Sequence, residues 1–82
     1  MEVEKGEIIT LSDNREYVCL SAFTAEGKKY LYLMTTKEPV EFCFAEETVM
    51  ENGIQMRVIG GRDEKQKLFE ILKSQVNSNR GL

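Results

Sequence analysis

The chain has no histidine and no tryptophan, one proline and two cysteines among its 82 residues. Without imidazole there is no Ser-His-Asp or Cys-His catalysis, no His-ligated metal and no side chain that titrates unperturbed near neutrality. Two cysteines cannot fill a structural zinc site within one chain, and there is no C-x-x-C redox motif. Cys19 and Cys43 each lie inside an apolar strand-like run. That placement predicts buried free thiols; the alternative, a disulfide between neighbouring strands, needs Cα atoms within about 7 Å. Long apolar runs are also missing. The longest passes through Leu31-Tyr32-Leu33-Met34, so no membrane span is expected. The N-terminus lacks the basic-then-apolar pattern of a secretory signal, and the expected location is the cytoplasm.

What remains is the composition of a globular chain. At 41% hydrophobic and 30% charged, with a net charge of −3, it has apolar residues for one modest core and too mild a charge for disorder. Residues 1–82 are expected to form a single domain.

The hydrophobic period is that of strands over most of the length. Strands are predicted at about 7–11, 16–23, 28–36, 40–45 and 54–59. Between them lie turn signals: Asp13-Asn14, Glu26-Gly27, the Pro39 break and Asn52-Gly53. In the fourth strand Val40, Phe42 and Phe44 alternate onto one face; in the fifth Ile54, Met56 and Val58 do the same. Residues 46–53 read as a polar connection. After Gly60-Gly61 the period changes. Leu68, Phe69, Ile71, Leu72 and Val76 form one helical stripe, predicting an amphipathic helix at about 63–77 with Asp63 as N-cap, Gln66 closing a capping box and a frayed tail at 78–82.

These elements predict an α+β fold, a five-stranded antiparallel meander with a C-terminal amphipathic helix packed on the sheet. The second and third strands are apolar on both sides: Val18, Leu20 and Ala22 against Tyr17, Cys19 and Phe23, and Leu31 and Leu33 against Tyr30, Tyr32 and Met34. Three explanations stay open: the strands are central, the sheet curls toward a small barrel, or a partner covers the second face. The register between these strands is also open, because a two-residue loop at Glu26-Gly27 and a three-residue loop at Ala25-Glu26-Gly27 set the shared face of Tyr30 and Tyr32 against opposite faces of the second strand.

Residues 8–33 carry a recurring pattern: a strand ending in Thr10-Leu11, an acidic turn at Asp13, Glu16-Tyr17, a strand ending in Phe23, then Gly27-Lys28, Tyr30 and an apolar strand. This resembles the small, uncharacterised bacterial YrzB-like proteins. The chain is less acidic than those proteins, and its last third is basic. The resemblance implies a small cytosolic protein of unknown function and brings no catalytic residues with it.

Functional candidates are surface features. Catalysis has little material: no nucleophile comes with a base, and the adjacent carboxylates Glu46 and Glu47 would point to opposite faces of a strand. No enzyme activity, cofactor or metal is expected. The stretch from residue 38 to 56 has five acids and no base, among them Glu41, Glu46 and Glu47. These acids are either solvated loop carboxylates or a surface for a basic partner, as in a phage- or mobile-element-encoded inhibitor. Lys28, Lys29, Tyr30 and Tyr32, extended by Tyr17 and Arg57, are the candidate surface for single-stranded nucleic acid, with aromatic rings for bases and lysines for phosphates. Gly60-Gly61-Arg62 reads as the reversal from sheet to helix rather than a phosphate loop. The leading expectation is a non-enzymatic protein–protein interaction or regulatory module, its partner another protein or a second copy in a homodimer.

Overall fold

The computed structural model describes residues 3–80, with side chains described through Gln75. Five strands follow one another in sequence and in space: β1 (Ile8–Thr10), β2 (Glu16–Ala25), β3 (Lys28–Thr35), β4 (Phe42–Met50) and β5 (Gly53–Val58). Every neighbouring pair is antiparallel, and the meander curls into a half-barrel. One helix, α1 (Arg62–Arg80), follows and packs on the sheet. None of the described helices is long and apolar enough to cross a membrane.

The β2–β3 turn explains the register. Glu26 and Gly27 both adopt positive φ, 54° and 76°, which is the primed geometry that matches the twist of a two-residue hairpin. Ala25 therefore faces Lys28, and Phe23 faces Tyr30. Farther down the hairpin the register shifts between Cys19 and Ser21, leaving Leu20 as the extra residue of a β-bulge. The bulge breaks simple alternation. Tyr17 and Cys19 share a face with Ala22, while Phe23 and Ala25 lie on the other, so the grouping of Phe23 with Tyr17 and Cys19 is corrected.

This shift produces two cores, one on each side of the sheet. On one side Leu11, Tyr17, Cys19, Leu31, Leu33 and Ala45 pack with Val3. The cover here is the N-terminal segment. Gly6 N–H donates to the Cys19 carbonyl, residues 4–7 turn, and the chain crosses to β3 and β4. There Val3 N–H donates to Glu47 Oε1 at 3.0 Å, and Lys29 Nζ donates to the Val3 carbonyl at 2.9 Å. We call this segment the strap. On the other side Phe23, Ala25, Tyr30, Phe44 and Ile59 receive Leu68 and Leu72 of α1. Burying each of those leucines contributes about 1.5–3 kcal/mol. Ion pairs from Lys67 to Glu26 (2.5 Å) and from Arg57 to Glu64 (3.4 Å) hold the helix over the sheet. Strap and helix together cover both faces of the central strands, except at one end of the helix side.

Several boundaries and orientations differ from expectation. β4 runs on to Met50, so the stretch expected as a polar connection is strand; its alternation continues through Ala45, Glu47 and Val49. Val40 precedes β4 and is exposed, as is Phe42, leaving Phe44 alone of that trio in the core. Ile54, Met56 and Val58 do share a face, but they sit at the rim and Val58 is half exposed. The helix starts at Arg62 and extends through Arg80, past the expected end at 77. Asp63 lies inside its first turn with Glu64, where acids favour the helix dipole, and is not the N-cap. Residues 81 and 82 of the expected tail lie outside the described residues.

Candidate interaction surface

Register places four apolar residues in one row across the sheet. Ile8 pairs with Val18, Val18 with Met34, and Met34 with Phe42. By alternation the row lies on the side that carries α1, yet the helix does not reach it. Ile8 is 57% exposed and Phe42 53% exposed, while Val18 and Met34 are half-buried. Between this row and the helix runs an open groove of about 330 Å³ lined by Tyr32, Phe42, Phe44, Lys65, Gln66 and Phe69. Its floor is aromatic. Tyr32 stacks on Phe42 with centroids 5.8 Å apart and meets Phe44 at 4.9 Å. Phe69 forms the helix bank and is 48% exposed. Lys65, Phe69 and Lys73 share a stripe of α1 at helical spacing, and both lysines are exposed.

The expected nucleic-acid residues do not assemble on one open face. Tyr30 is buried under α1 and stacks on Phe23. Lys29 holds the strap on the opposite side, and Lys28 is exposed at the turn. Tyr17 is buried on the strap side, where its hydroxyl donates to Asp13 Oδ2 at 2.9 Å, and burial pushes its pKa up. Tyr32 alone of the tyrosines borders the groove.

Three acids of the block face cations. Glu41 pairs with Arg15 at 2.7 Å and Glu46 with Arg57 at 2.6 Å. Glu47 is buried and lies 3.3 Å from Lys29. Glu46 and Glu47 are therefore β4 side chains facing cross-sheet cations, whereas Glu41 precedes β4 and is exposed. Asp13, Glu26 and Glu46 are held below their ordinary pKa values: Asp13 by the Arg15 backbone N–H, Glu26 by Lys67 and Glu46 by Arg57. A lowered folded-state pKa stabilises above the ordinary values of 3.8–4.5 and is lost as pH falls through the folded value. The thermal midpoint is expected to be flat between about pH 6 and 8, since no histidine titrates there. Below about pH 4.5 it should decline, more weakly in high salt because these pairs are exposed. Circular dichroism melts across pH check this, and a step between pH 6 and 8 contradicts it.

Both cysteines are free. Cys19 and Cys43 each face Leu33 across one strand, so they share a face two strands apart, about 9–10 Å. That exceeds disulfide reach. Burial raises both thiol pKa values, which lowers their reactivity. Among the described residues no group of His, Cys, Asp or Glu could hold a metal ion.

The residues that line the exposed row were legible only as strand formers. Ile8, Val18, Met34 and Phe42 become neighbours through register, which no single segment encodes. Phe69 read as part of the buried stripe; the buried stripe is narrower, Leu68 and Leu72 at i and i+4, and Phe69 is rotated about 100° from Leu68.

No family model, curated protein or solved structure matches the chain.

Proposed function

We propose that the protein is a small protein–protein interaction module that acts by binding rather than by catalysis. The supporting observation is the uncovered row Ile8, Val18, Met34 and Phe42 beside the aromatic groove under Phe69. Contiguous exposed apolar surface of this kind marks an interaction site. The groove fits the apolar stripe of an amphipathic helix, a common mode of peptide capture. Lys65 and Lys73 on the helix bank favour acidic residues along the flank of that partner.

A photo-crosslinking amino acid at position 42, used in the source cell, tests this reading. The expected result is one discrete adduct whose cross-linked peptide is an amphipathic helix with acidic flanking residues. Phe69→Ser should abolish it. Adducts indifferent to Phe69→Ser, or peptides without such a stripe, count against the reading.

A further inference from the structure

We propose that β5 is a self-association edge, and that a second copy of this chain pairs with it in antiparallel register centred on Met56. Among the described residues nothing pairs with the outer side of β5. The other sheet edge, β1, is three residues long; β5 has six. Exposed edges are usually blunted by proline, lysine or a bulge. β5 reads Gly53-Ile54-Gln55-Met56-Arg57-Val58 and holds neither proline nor lysine. Its one charge, Arg57, is turned to the helix side, where it bonds Glu46 and Glu64.

The residue order selects both the partner and the register. A twofold axis normal to the sheet keeps each face on its own side, so only residues of like parity can pair. With Met56 facing Met56 of the second copy, Ile54 faces Val58 and Gln55 faces Arg57. All apolar side chains then lie together, and the only cation meets an amide. Shifting the axis to Arg57 opposes two guanidiniums, and shifting it to Gln55 sets Arg57 against Gly53. The apolar rows continue inward on each side: Val58 is paired with Ala45 and Ile54 with Val49. Val58 is 50% exposed in the single chain, and the second copy covers it. This surface is separate from the groove, which lies on the other side of the sheet.

Sedimentation velocity from about 5 to 200 µM should show a concentration-dependent rise from 9.4 kDa to twice that mass. Val58→Lys, at a half-exposed position, should weaken association at least tenfold with an unchanged circular dichroism spectrum. Met56→Cys should give a disulfide-linked dimer on mild oxidation, because residue 56 faces itself. Ile54→Cys should not, since its two copies lie about 14 Å apart in this register. The wild-type chain, with Cys19 and Cys43, is the control. A monomer at every concentration overturns the proposal. So does a dimer dispersed by Phe42→Ser and indifferent to Val58→Lys. That second result moves association to the helix side and leaves the groove in use, whereas loss of groove adducts with an intact Met56→Cys dimer does the reverse.

Discussion

Glu47→Ala is expected to cost about 3–5 kcal/mol of folding stability, the range for breaking one partner of a buried ion pair. The Glu47 side chain is 1% exposed. It accepts from Val3 N–H through Oε1, and Oε2, which has no hydrogen-bond donor among the described residues, lies 3.3 Å from Lys29 Nζ. Removing the carboxylate leaves an ammonium that is only 21% exposed and strips the strap of its acceptor. Both losses are desolvation penalties, eased at Lys29 by its remaining bond to the Val3 carbonyl. Against a typical total of about 5–15 kcal/mol, that is a large share of the stability. The paired replacement Lys29→Met with Glu47→Leu should recover only the charge part of it, because the Val3 N–H and C=O still lose their partners. Urea denaturation followed by far-UV circular dichroism measures both. A loss under about 1 kcal/mol for Glu47→Ala shows that the clamp is dispensable.

Leu31→Ala should be comparably severe, about 3–5 kcal/mol. Leu31 is fully buried, and its cross-strand partners on the same face are Ala22 and Ala45. The row is small, large, small. Neither alanine can extend into the space a truncated leucine leaves, so the cavity persists and adds to the lost transfer energy. Leu33, one step along, has Cys19 and Cys43 as neighbours, whose sulfur atoms are larger and more polarisable. Leu33→Ala should therefore cost less than Leu31→Ala, although both leucines are fully buried. Chemical denaturation of the two variants tests the order. Equal losses would show that cavity collapse, not the partner residues, governs the site.

Much of this fold is legible because its signals are local. Glu26-Gly27 specifies a primed turn, Gly60-Gly61 ends the strand period, and Leu68 with Leu72 marks the helix face. The parts that escape the sequence are those decided across strands. Phe42 alternates with Phe44 and looks equally buried, yet α1 reaches only Phe44. Glu46 to Met50 looks like a loop because carboxylates are poor strand formers; here each meets a cation on a neighbouring strand, Glu46 with Arg57 and Glu47 with Lys29. Leu20 carries no mark of a bulge, and its extra step is what sends Phe23 away from Cys19. The uncovered row depends on all three strand pairings from β1 to β4, so it becomes visible only when the registers are known.

The strap also bears on how the chain reaches its native state. Each sheet pairing joins consecutive strands, so every hairpin closes a short loop soon after its residues collapse. Val3 is different: its bond to Glu47 spans 44 residues, so closing it costs more chain entropy than closing a hairpin. In sequence distance the strap is thus the non-local element of an otherwise local fold.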